Sequence, residues 1–219
     1  MFRAVVFDLW GTLVTPPRHA FEELRRTWSA ALAIPTERLD EVWFDAEGYR
    51  RRETGPIRDA IVDVGERLAI DVEVDAILAL RLEFMRDVLV PDAGVVDTLT
   101  ELRSRGFSTA LVSNSTEDVA LVWAETQFAG LFDTAVFSAT AGFMKPDREI
   151  YELALRQLPV PASETLFVGD GANDELEGAR AAGMTPVLVQ PGVAPQWDGL
   201  EDWQGRRITS IPEVLELVA

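Results

Sequence analysis

Asp8 and Thr12, Ser113 and Asn114, Lys145, and Asp170 with Asp174 are the residues whose types could do chemistry together. They come from four separated segments, and each group follows or adjoins a short apolar run where a strand would end. Carboxylate oxygens suit a hard divalent cation, while an ammonium and hydroxyl donors suit the oxygens of an anionic substrate. Lys145 is the sole lysine among 20 basic residues, so it reads as a position where Arg would not substitute. Singly, each residue also has a structural reading. A carboxylate at a strand end can cap a helix or form a turn, Asp147 would cap the helix after Pro146, and Gly169 and Gly171 would permit a tight turn. Their joint placement is what favours a site.

The elements that must bring them together alternate in type. Residues 3–8 form an apolar run ending at an acid before Gly11-Thr12, as a buried strand entering a turn does. Residues 16–90 then carry helical spacing, as in Ala20-Phe21-x-x-Leu24 and Ile57-x-x-Ala60-Ile61, which predicts an insert of three to five helices. Beyond Pro91, helices are expected over 95–105, 117–127, 147–158, 174–182 and 211–218, with strands over 108–112, 134–137, 165–168 and 186–189. This predicts an α/β fold, a doubly wound parallel sheet of Rossmann-like form with an inserted helical cap. The core would comprise 1–15 and 91–219, and the cap 16–90. In such a sheet the site lies at the C-terminal strand ends.

Composition limits the partners. The 219 residues are 47% hydrophobic and 26% charged, as in a soluble globular protein, with a formal net charge of −17. That field repels nucleic acid, and it admits a small anionic substrate only where the site supplies its own cations. The absence of Cys excludes disulfides and thiol nucleophiles. The first apolar run is too short for a signal-peptide core, and no run approaches a membrane span. A cytoplasmic monomer or homodimer with no membrane partner is expected.

Phe7-Asp8-Leu9-Trp10-Gly11-Thr12 resembles the first motif of the haloacid dehalogenase-like (HAD) superfamily, usually Asp-x-Asp-Gly-Thr. Val112-Ser113-Asn114 resembles the second motif, Lys145-Pro146-Asp147 the third, and Gly169-Asp170 through Asp174 with Gly178-Ala179-Arg180 the fourth. The resemblance implies a Mg2+-dependent hydrolase with Asp8 as nucleophile, forming an aspartyl intermediate. It implies Ser113 and the backbone around Asn114 on substrate oxygens, Trp10 and Thr12 also at the substrate, Lys145 neutralising charge, and metal held by Asp8, the Trp10 carbonyl, Asp170 and Asp174. Trp10 stands where phosphatases of the superfamily carry a second, acid–base Asp. That leaves three readings: a phosphatase or phosphotransferase for good leaving groups such as acyl or aryl phosphates, a 2-haloacid dehalogenase, or a catalytically impaired relative that binds a phosphorylated ligand. Within residues 49–56, Arg51 and Arg52 are candidates to meet a substrate carboxylate or second phosphate. His19 is a weaker candidate for a substitute acid, since a surface loop suits it better.

Overall fold

The computed structural model describes residues 1–17, 19–192 and 197–219. Among the described residues six strands form one sheet: β1 (Ala4–Phe7), β2 (Ser108–Ser113), β3 (Thr134–Phe137), β4 (Thr165–Gly169), β5 (Thr185–Val189) and β6 (Arg206–Ile208). All pair in parallel, in the order β3-β2-β1-β4-β5-β6. The order reverses at β1, between β2 and β4, which is the switch point where doubly wound sheets open a crevice.

Alternation along each strand divides the core. Val5 and Phe7 of β1 face one cluster with Leu111, Val119 and Val122, while Ala4 and Val6 face another with Ile150, Tyr151 and Phe167. Each face is covered by helices, so both sides of the strand are apolar, as a parallel sheet requires. Helices α6 (Val95–Ser104), α7 (Glu117–Val122) and α11 (Val214–Leu217) cover the first face. The second is covered by α9 (Arg148–Leu155) and α10 (Glu175–Ala181). The short α8 (Ser138–Ala141) follows β3 directly. The strand β6 replaces part of an expected loop. Its two arginines are exposed and only Ile208 is buried, so no apolar run marked it.

Between β1 and α6 the described residues form five helices: α1 (Ala20–Ala31), α2 (Thr36–Trp43), α3 (Ala46–Glu53), α4 (Ile57–Leu68) and α5 (Val74–Val88). Trp28, Leu39, Trp43, Ile57, Ile61 and Ile77 form the centre of their own buried cluster. Each such large side chain contributes roughly 1.5–3 kcal/mol by burial. At the end of α5, Met85 joins the sheet's cluster instead. Two polar links fasten these helices to α7: Arg81 pairs with buried Asp118 at 2.7 Å, and the Ile57 N–H donates to Glu117 at 2.9 Å. They hold the helices over the C-terminal edge of the sheet.

Candidate active site

Asp8 follows β1 and Asp170 follows β4, so adjacent strands at the switch point deliver two carboxylates side by side. The Asp8 N–H continues the ladder to the Val168 carbonyl at 2.9 Å. The turn after Asp8 needs a glycine. Gly11 has φ +75°, and a Cβ there would lie 2.3 Å from Asp170 Oδ2.

A third carboxylate enters from Glu175. Asn173 and Asp174 both take left-handed backbone, with φ 52° and 54°, a conformation Asn and Asp tolerate better than most residues. This carries Asp174 out to the surface and turns fully buried Glu175 inward. Asp174, expected among the metal ligands, is thus exposed, while Glu175 lies with Asp8 and Asp170. Gly169 makes room for it, since a Cβ there would meet Glu175 Oε1 at 2.1 Å.

Lys145 lies between these acids. Its ammonium hydrogen-bonds Asp8 Oδ1 and donates to Glu175 Oε2 at 2.5 Å. Burial by itself would lower the lysine's pKa, but the Asp8 and Glu175 charges override it and hold the ammonium well above its usual range. Burial, followed by the charge on Asp8, pushes Glu175 up to about 8 and also raises Asp170. Asp170 accepts from the Ala172 N–H at 3.0 Å and from the Trp197 indole N–H at 2.8 Å.

Asp8, Asp170 and Glu175 offer one oxygen each within 4.8 Å of one another. Three buried carboxylates against one ammonium leave a negative surplus that a hard divalent cation would neutralise, and the donors are all oxygen. Among the described residues, nothing donates to the Trp10 carbonyl, which remains free to add a fourth oxygen. The donor set fits Mg2+.

The other expected residues separate. Asn114 lines the cavity above Asp8, but both ends of its amide are used on the Lys145 backbone. Ser113 is fully buried behind that wall, its hydroxyl 3.4 Å from the Asn114 carbonyl. Thr12 is buried too, with an unpartnered hydroxyl, and neither residue lines the cavity. Arg51, expected to meet the substrate, is not among the residues that line the cavity; it pairs with Glu47 at 2.8 Å and Asp63 at 3.5 Å, one helical step of about 100° from Arg52. Arg52 does line the cavity, stacked over the Tyr49, Trp43 and Phe44 rings. His19 is exposed before α1, on a surface loop.

The cavity measures about 430 Å³ and lies between the helices and the sheet edge. Trp10, Phe21, Trp28, Trp43, Phe44 and Tyr49 form much of its wall. Glu175, Trp197 and Tyr49 were not anticipated as site residues. The Asn-Asp pair before Glu175 was the available signal for the first; Trp197 and Tyr49 left none, being brought in by folding alone.

A family model described as haloacid dehalogenase-like hydrolase matches residues 2–183. The chain is 35% identical to a ribulose-1,5-bisphosphate 5-phosphatase of Halopiger xanaduensis, over 87% of this chain and 86% of that protein. It is 29% identical to a glyceraldehyde 3-phosphate phosphatase of Methanothermobacter thermautotrophicus, over 99% of this chain and 98% of that one. Among solved structures, a 2-haloacid dehalogenase from Pseudomonas syringae superimposes with a TM-score of 0.74 at 26% identity, covering 100% of this chain and 98% of the other.

Proposed function

Because this chain belongs to the haloacid dehalogenase-like hydrolases, we propose that it is a Mg2+-dependent phosphatase or phosphotransferase. It acts on a small phosphorylated metabolite through an aspartyl-phosphate on Asp8. The observation that carries this reading is the surplus of three buried carboxylates around Lys145. Asp8, Asp170, the Trp10 carbonyl and Glu175 would hold the cation, which supplies charge neutralisation to a phosphoryl group.

Lys145 fixes one oxygen of Asp8 and leaves the other for attack on phosphorus. As that bond forms, the bond from phosphorus to the departing oxygen breaks and its electron pair leaves with that oxygen. Water then attacks the phosphorus of the acyl phosphate, releasing phosphate and restoring Asp8. Lys145 is no proton donor here, since its charge is held by two carboxylates. Trp10 has an indole N–H but no exchangeable acid near neutral pH, so the substrate must carry a good leaving group. Helices α1–α5 act as the cap that shapes the cavity, and the setting is cytoplasmic.

A second reading, 2-haloacid dehalogenase, draws support from the dehalogenase structure at TM-score 0.74 and from the aromatic residue at position 10. The acidic surplus speaks against it, because halide displacement by Asp8 needs no cation. Acetyl phosphate hydrolysis is expected to require Mg2+ and to vanish in Asp8→Asn; turnover that persists in that variant excludes the mechanism. Release of halide from 2-chloropropionate without metal selects the second reading. Mg2+ binding with neither activity marks an impaired relative.

A further inference from the structure

The cavity above Asp8 is aromatic, and its positive charges are already matched. Arg25 pairs with Asp40 at 2.9 Å and Arg81 with Asp118 at 2.7 Å. Arg52 lies 3.5 Å from Glu53 and donates to the Trp43 carbonyl. Each guanidinium also lies on a ring: Arg25 over Phe44 at 5.2 Å, Arg52 over Tyr49 at 4.7 Å and Arg81 over Trp43 at 5.0 Å. Among the described residues, the one other cation lining the cavity is Lys145, which is committed to Asp8 and Glu175. A second phosphate or a carboxylate on the substrate would have to compete with Asp40, Glu53 or Asp118 for these guanidiniums.

Hydroxyl-rich substrates fare no better. Of the wall's polar groups, Asn114 is occupied with the Lys145 backbone and Thr116 with Arg81 and Asp118, while Trp28 Nε1, Arg81 Nε and Ser115 Oγ are buried without a hydrogen-bond partner. A sugar hydroxyl placed against Asn114 or Thr116 would lose water without gaining a partner, which is unfavourable. An apolar ring loses nothing of that kind and gains edge and face contacts with the wall. Size agrees, since a cavity of roughly 150 Å³ admits benzene, and this one holds about 430 Å³.

The chemistry at position 10 selects in the same direction. With Trp10 in place of an acid, the departing oxygen must leave as an anion. A phenol ionises near 10, whereas water and alkoxide-type oxygens lie near 15.7, so roughly five units favour the phenolate. We propose that the site takes aryl phosphates: a phosphate on the phenolic oxygen of an uncharged aromatic ring that fills the cage formed by Trp28, Trp43, Phe44 and Tyr49. This rests on the phosphatase reading and narrows its substrate. Asp8 attacks phosphorus, the aryl oxygen departs as phenolate and takes its proton from solvent, and water releases phosphate from Asp8.

The test compares four substrates with Mg2+ present: 1-naphthyl phosphate, benzyl phosphate, acetyl phosphate and glucose 6-phosphate. Naphthyl phosphate is expected to exceed glucose 6-phosphate in kcat/KM by at least about 10²-fold and acetyl phosphate by about tenfold. Benzyl phosphate keeps the ring but departs as an alkoxide. It should share the low KM of naphthyl phosphate, with kcat lower by about 10²-fold or more. Phe44→Ala removes a half-exposed ring from the wall without touching the buried cluster. It should raise KM for naphthyl phosphate about tenfold relative to acetyl phosphate. Equal kcat/KM for naphthyl phosphate and glucose 6-phosphate, or equal kcat for naphthyl and benzyl phosphate, overturns the aryl assignment while the phosphatase reading stands. Failure to hydrolyse any of the four, acetyl phosphate included, removes both.

Discussion

The side-chain amide of Asn114 grips the backbone of Lys145 from both ends: Nδ2 donates to its carbonyl at 3.0 Å, and Oδ1 accepts from its N–H at 2.7 Å. The lysine comes from a loop, and this clamp ties that loop to the end of β2, next to β1 and Asp8. In the proposed mechanism Asn114 would thus act through Lys145, as a positioning residue.

Asn114→Ala is expected to cut kcat by about 10–10²-fold with a smaller change in KM, since an ammonium displaced by about 1 Å no longer holds Asp8. Two lost buried hydrogen bonds should also cost about 1–3 kcal/mol in stability. Steady-state kinetics beside urea unfolding separate the two effects. A variant with unchanged kcat would show that Lys145 needs no such clamp.

Gly169→Ala puts a methyl where Glu175 Oε1 now lies, at 2.1 Å. The Phe167 ring at 3.0 Å and the buried Glu175 carboxylate leave it little room, so overpacking of about 1–3 kcal/mol is expected. Glu175 would retreat from Lys145, and Mg2+ binding, followed by titration calorimetry, should weaken at least about tenfold. Unaltered Mg2+ affinity would remove Glu175 from the cation site.

Magnesium affinity should depend on pH through Glu175. In the metal-free protein this carboxyl is pushed up to about 8 by burial and by Asp8. Below that pH it must lose its proton before it can serve a cation. The apparent Kd is therefore expected to rise about tenfold for each pH unit below about 8, and to level off above it. Calorimetry in buffers of different ionisation enthalpy would count the released proton, and a count of zero at pH 6.5 sinks the assignment.

Glu53 gives a pH dependence of stability. Burial, only partly offset by Arg52, raises it from its ordinary 4.5 to about 7. Between those values the folded protein binds the extra proton, so stability is fully present below about pH 4.5 and declines as pH rises to about 7. The decline attributable to this group is about 3 kcal/mol at most. Thermal unfolding of Glu53→Gln against the parent should show a difference that changes across this window and stays constant above it. Parallel curves throughout would dismiss Glu53 as the source.

Trp10→Asp restores a carboxyl where the natural residue has an indole. A gain of about 10²–10⁴ in alkyl phosphate hydrolysis relative to aryl phosphate is expected. Some stability is lost with the edge contact to Phe21, whose ring centroid lies 5.7 Å away. An unchanged alkyl-to-aryl ratio would mean that leaving-group protonation is not what limits the natural protein.

The sequence alone determined five of the sheet's six described strands and placed Asp8 at the end of the first. Strands such as Ala4–Phe7 and Thr165–Gly169 are apolar on both faces, and their ends carry the acids, so local pattern sufficed for Asp8, Lys145 and Asp170. Only the tertiary structure showed that Asp174 is exposed and Glu175 buried beside Asp8, because two left-handed residues turn the chain there and nothing in the spacing counts them. It also decided between Arg51 and Arg52. The two are adjacent and alike in sequence, but Asp63 of α4 takes one and the aromatic cage takes the other. Such choices depend on charges and rings brought together from distant segments, whose energies exist only once the helices have packed against the sheet edge.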